Sequence, residues 1–90
     1  MRVISRRRIN EFCEQHADAL PGLHNWYKTV RRATWRNFAE LRQDFNSADV
    51  VGRRTVFNIH KNVYRLIARV NYQKQIVFVL FILTHNEYKK

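Results

Sequence analysis

The sequence predicts a single α+β domain, with an N-terminal helical hairpin packed on an antiparallel sheet of about four strands. Two periodicities and the place where they change carry this reading. Apolar residues from Ile9 to Val30 recur at helical spacing, and those after Thr55 alternate at strand spacing. The change falls at Asn46-Ser47-Ala48-Asp49 and Gly52, which are turn-forming residues. A chain of 90 residues can bury one modest core and not two, so the domain is taken as residues 1–90.

Arg2-Val3-Ile4 reads as a short opening strand. Ser5 is a suitable N-cap for a helix whose stripe is Ile9, Phe12, Cys13, His16, Ala17 and Leu20, with Pro21-Gly22 as its stop. A second helix places Leu23, Trp26, Tyr27 and Val30 on one face and Lys28, Arg31 and Arg32 on the other. So short a breaker implies an antiparallel hairpin. Asn37 and Glu40 have capping-box spacing, and Phe38, Leu41 and Phe45 supply the apolar side of a short third helix.

Three strands then follow, over residues 55–59, 63–72 and 75–84, joined by His60-Lys61-Asn62 and Gln73-Lys74. Connections this short make an antiparallel meander. In the middle strand Tyr64, Leu66, Ala68 and Val70 should face the helices, leaving Arg65, Ile67, Arg69 and Asn71 on the other side. Strict alternation in the last strand puts Ile76, Phe78, Leu80 and Ile82 on one face and Val77, Val79, Phe81 and Leu83 on the other. Both faces are apolar, so the strand is either covered twice within the chain or partly covered by a partner.

The formal charge is +10, and it is concentrated. Residues 50–90 hold eight Lys/Arg against the single acid Glu87, whereas residues 1–49 hold nine against six. Such a field favours a polyanion, with nucleic acid the leading class, and leaves little with which to hold Mg²⁺ or Ca²⁺. One cysteine, Cys13, excludes an internal disulfide framework and a multi-cysteine zinc site, and His24 and His60 lack partners at metal-ligand spacing. No metal or other cofactor is expected. The longest apolar run, Ile76 to Leu83, is far short of the roughly 20 residues of a membrane helix, and no signal peptide is evident. The expectation is therefore a soluble, cytoplasmic protein with no membrane contact.

Arg65 and Arg69, on one strand face, could grip a phosphate or its pentacovalent transition state, or simply be solvated. Lys61 and Asn62 lie in the hairpin before them, and Lys89 and Lys90 close the chain. His85 directly follows an apolar strand and is a candidate general acid or base, since imidazole exchanges protons near neutral pH; a bystander at the chain end is the alternative. His16, Trp26, Tyr27, Trp35 and Phe38 have the helical spacing of a core rather than of a base-stacking surface, and Glu11 with Glu14 and Glu40 with Asp44 look like salt-bridge partners.

Five segments in matching order resemble a known family: Met1-Arg2-Val3-Ile4-Ser5, Phe45-Asn46-Ser47-Ala48-Asp49, Val56-Phe57-Asn58-Ile59, Asn62-Val63-Tyr64-Arg65-Leu66 and Thr84-His85-Asn86-Glu87-Tyr88. Together they resemble the HigB toxins of bacterial type II toxin–antitoxin systems, within the RelE-like group of mRNA interferases. The resemblance implies the RelE-like fold and a metal-free, ribosome-dependent endoribonuclease acting on mRNA. It also implies neutralisation by a HigA-type helix-turn-helix antitoxin, with DNA met only indirectly through that partner. By motif, Arg65 matches the strand arginine that contacts the scissile phosphate, His85 falls in the region supplying catalytic side chains, and Tyr88 matches the tail tyrosine. That makes Arg65, His85 and Tyr88 the catalytic candidates, with Lys61, Asn62, Arg69, Lys89 and Lys90 as RNA contacts. His60-Lys61 departs from the Gly-Gly common at this hairpin in the family. A non-catalytic RNA- or ribosome-binding module is the alternative function for the same basic face.

Overall fold

The computed structural model describes residues 1–89. Its elements run β1 (Arg2–Ile4), α1 (Arg6–Gln15), a 3₁₀ turn (Ala17–Ala19), α2 (Leu20–Arg32), α3 (Phe38–Asp44), β2 (Asp49–Val51), β3 (Arg54–Ile59), β4 (Tyr64–Asn71), β5 (Ile76–Thr84) and α4 (His85–Lys89). The sheet has five strands in the order β1-β5-β4-β3-β2. β2 through β5 form an antiparallel meander, and β1 joins β5 in parallel, so the sheet is mixed rather than purely antiparallel. The additional strand, β2, arises because Asp49 extends into a pair with Val56, and Gly52, at φ +63°, turns the chain into β3.

The helical boundaries differ from the sequence expectation in an instructive way. Ser5 does cap α1, its hydroxyl accepting from the Arg7 amide, but α1 ends at Gln15. Pro21 sits in the first turn of α2, where a missing N–H costs nothing, so Pro21-Gly22 opens the second helix instead of closing the first. Gly22 is needed for proximity. A β-carbon there would lie 3.1 Å from Ile59 Cγ2 and 3.3 Å from the His60 nitrogen, so the start of α2 rests directly on the β3–β4 hairpin.

The core lies between the helices and one sheet face. Leu23, Trp26 and Val30 of α2 are buried against it, with Trp26 edge-on to Phe57 at 5.4 Å. Tyr64, Leu66 and Ala68 of β4 join this core as alternation predicts, and Val70 packs against it. β5 behaves differently. Ile67 pairs with Phe81 but Ala68 pairs with Val79, so Leu80 is an extra residue and β5 is bulged there. Val77 and Val79 face the core, and beyond the bulge Ile82 does so. The two faces expected from strict alternation are thus interchanged halfway along the strand. β1 reaches only Ile76 to Phe78, and past its end Arg8 of α1 donates to the free carbonyl of Leu80 at 3.3 Å.

Asn37 caps α3 by accepting from the Glu40 amide at 3.0 Å. Glu40 does not complete a reciprocal box; its carboxylate takes the Arg36 amide and guanidinium instead. Asp44, expected in a salt bridge, accepts the Trp35 indole N–H at 2.8 Å, while Glu11 pairs with Arg7 at 2.8 Å. Trp26 and Trp35 are buried, in keeping with a core role.

Candidate active site

The hairpin His60-Lys61-Asn62 and the start of α4 meet at one end of the sheet. Tyr64 of β4 pairs with Thr84, and the His85 amide continues the ladder by donating to the Val63 carbonyl at 3.0 Å. The chain then turns into α4 through a reciprocal cap. The Thr84 hydroxyl accepts from the Glu87 amide at 3.2 Å, and the Glu87 carboxylate accepts from the Thr84 amide at 2.8 Å. This Thr-x-x-Glu signature is visible in the sequence and marks the tail as a helical turn that carries His85 and Tyr88.

Arg65 is the centre of the cluster. Its Nη1 donates to the Asn62 carbonyl at 2.7 Å, its Nη2 lies 3.3 Å from His85 Nδ1, and its Cζ stands 5.7 Å from the centre of the Tyr88 ring. Guanidinium has donors only, so the contact with His85 requires an unprotonated Nδ1 and leaves the imidazole proton on Nε2. The result is a cation, a proton-bearing nitrogen and a phenol within one turn of each other.

A shallow cleft beside this cluster is lined by His16, Lys61, Asn62, Tyr64, His85 and Asn86, with Val63 and Thr84. Lys61 and Asn62 have φ of +51° and +73°, and His60 has +52°. Positive φ at the two central residues of the turn is what a tight hairpin requires, and for Lys and His it stores strain that Gly would not. His16 is a cleft residue that sequence reasoning assigned to the core or its edge. It stacks on Phe12 at 4.3 Å and meets the Tyr64 ring at 5.4 Å, yet it also borders the cleft. Nothing local in the sequence signals that, because His16 and His85 meet only through the sheet.

Tyr64 is a poor proton carrier. Its hydroxyl donates to Asp18, and that bond, with burial and the carboxylate charge, raises its pKa above the ordinary tyrosine value. Burial likewise pushes the Cys13 thiol up, away from thiolate chemistry. Arg69 does not join Arg65. It lies further along β4, opposite Phe78, where it lines a separate concavity with Arg53 and Arg54. Lys89 ends α4, and Lys90 lies outside the described residues. Among the described residues no three His, Cys, Asp or Glu side chains come together as a metal site would need.

Residues 20–90 match the sequence model of the HigB toxin family, described as the RelE-like toxic component of a toxin–antitoxin system. The chain belongs to this family. Helices laid on one face of a five-stranded sheet agree with the RelE-like architecture of such toxins. A relative in Escherichia coli O6:H1 (strain CFT073), the mRNA interferase HigB, is 27% identical over 93 residues, spanning 100% of this chain and 90% of that protein. Among the described residues of this HigB-family toxin, no helix is long and apolar enough to cross a membrane.

Proposed function

We propose that this toxin is a cytoplasmic, ribosome-dependent mRNA endoribonuclease, held in check by a HigA-type helix-turn-helix antitoxin through which alone it meets DNA. The observation that carries the chemistry is the contact of Arg65 with His85 above the Tyr88 ring. Family membership and the naming of the E. coli relative as an mRNA interferase support the substrate class.

In the proposed reaction a ribose 2′-OH loses its proton and attacks the adjacent phosphorus. The bond from phosphorus to the 5′-oxygen breaks, leaving a 2′,3′-cyclic phosphate upstream and a 5′-hydroxyl downstream. Arg65 stabilises the extra negative charge on the phosphoryl oxygens, and Lys61 at the cleft rim adds to it. Once Arg65 engages the phosphate, Nδ1 of His85 is released to take the 2′ proton. The Tyr88 hydroxyl, beside the Arg65 guanidinium that stabilises its phenolate, is the candidate to protonate the departing 5′-oxygen, and the His85 imidazolium returns a proton to it afterwards. Asn62, Lys89 and Lys90 hold the flanking backbone.

The test is the chemistry of the ends after cleavage on translating ribosomes. A 2′,3′-cyclic or 3′-phosphate with a downstream 5′-hydroxyl is expected. Ends with 5′-phosphate and 3′-hydroxyl would make water the nucleophile and remove these roles.

A further inference from the structure

We propose that Phe81, with Arg54 and Arg69, forms a base-stacking subsite that takes the nucleobase next to the scissile phosphate; this rests on the RNA-cleaving reading above. Phe81 is 46% exposed, a large aromatic group left open in a strand paired on β4. The Leu80 bulge is the reason: without it the residue at this position would face the core, and Ile82 is the residue that does. Phe81 therefore stands on the sheet face opposite the helices, the face that also carries Arg65.

Register places this ring close to the candidate active site. Arg65 pairs with Leu83 and Ile67 with Phe81, so the two sit in neighbouring same-face rows, about 7 Å apart along the strands. The next row brings Arg69 opposite Phe78. The guanidinium of Arg54 lies 5.4 Å from the Phe81 ring centre, and Arg53, Arg54 and Arg69 line the concavity beside Leu80. Across β2 to β5 the only carboxylate is Asp49, at the far end of the Val56–Ile67–Phe81 row. On the other flank Glu11 is engaged by Arg7.

An aromatic ring beside guanidinium groups can stack any base while the cations hold its phosphates, and guanidinium itself stacks on a base plane. A single strand with its scissile phosphate at Arg65 would continue over Phe81 towards Arg69. The observations favour RNA over an acidic protein segment because cations flank the aromatic row on both sides, Arg65 in the row before Phe81 and Arg69 in the row after it, where Arg53 and Arg54 line the same concavity.

The experiment uses ribosomes programmed with a short mRNA in which one base at a time is removed, leaving the sugar and phosphate. Single-turnover cleavage is measured for the full chain, for Phe81→Leu, which keeps an apolar side chain, and for Phe81→Trp, which keeps an aromatic face. Removal of one particular base beside the cut should slow the unsubstituted protein about tenfold, within the range measured for base–aromatic stacking. Phe81→Leu should be slowed by a similar factor on the intact mRNA and be indifferent to that base, and Phe81→Trp should restore both rate and sensitivity. Equal rates and equal base sensitivity in Phe81→Leu would overturn the subsite while leaving the nuclease reading intact. Retained cleavage by Phe81→Leu combined with escape from antitoxin would also overturn it, and would assign the face to a protein. Absence of cleavage by the unsubstituted protein would overturn both readings.

Discussion

Nη2 of Arg65 lies 3.3 Å from Nδ1 of His85, a contact between the second residue of β4 and the first of α4. Because guanidinium can only donate, it fixes the imidazole tautomer as well as its orientation. Charge stabilisation and proton transfer are therefore coupled, and substitutions at either residue should disturb both.

Arg65→Ala should cut ribosomal cleavage by about 10²–10³, the usual cost of removing one such transition-state contact. Thermal unfolding should shift little, since the guanidinium bonds to the Asn62 and Tyr64 carbonyls and to His85 without packing into the core. Wild-type toxicity in a folded Arg65→Ala protein would end its assignment.

His85→Asn separates positioning from proton transfer. The amide oxygen can still accept from Arg65 in place of Nδ1, but an amide cannot take up a proton at neutral pH. Ribosome binding should stay near that of the unsubstituted toxin and the cleavage rate should fall by about 10²–10⁴. A parallel loss of both would make His85 a binding residue.

Tyr88→Phe keeps the ring under the Arg65 guanidinium and removes only the hydroxyl. Cleavage should slow in Tyr88→Phe and slow further in Tyr88→Ala. Identical rates for Tyr88→Phe and the unsubstituted protein would confine the residue to holding the guanidinium.

Lys61→Gly should stabilise the fold while weakening activity. A non-glycine residue at φ +51° costs about 1–2 kcal/mol, part of which is returned by the greater unfolded-state freedom of glycine, leaving a net gain of about 0.5–1 kcal/mol. Chemical denaturation reports the gain, and cleavage assays report the lost charge. A destabilised, fully active variant would contradict both halves.

Gly22→Ala should destabilise by up to about 2 kcal/mol, because the crowding of the added methyl against Ile59 and the His60 backbone, about 1–3 kcal/mol, outweighs the roughly 1 kcal/mol that alanine returns as a better helix former. As α2 rests on the hairpin that holds Lys61 and Asn62, cleavage should fall along with the melting temperature. Unchanged values for both would mean that the hairpin yields freely.

The sequence by itself determined the class of fold, the strand order of the meander and the face of β4 that carries Arg65, because a two-residue period on a half-buried strand allows one assignment of inside and outside. It also held the Thr84–Glu87 signature of the closing turn. The tertiary structure decided what local pattern cannot express. The parallel pairing of β1 with β5 joins residues more than 70 positions apart. The Leu80 bulge reverses the exposure of half a strand that is apolar on both faces, and such a strand has no polar residue to mark its register. Pro21 is equally at home after one helix and inside the next, so only packing of Gly22 against Ile59 and His60 locates the boundary. For the same reason His16 and His85 come to one cleft, and Arg69 parts from Arg65, through contacts made across the sheet.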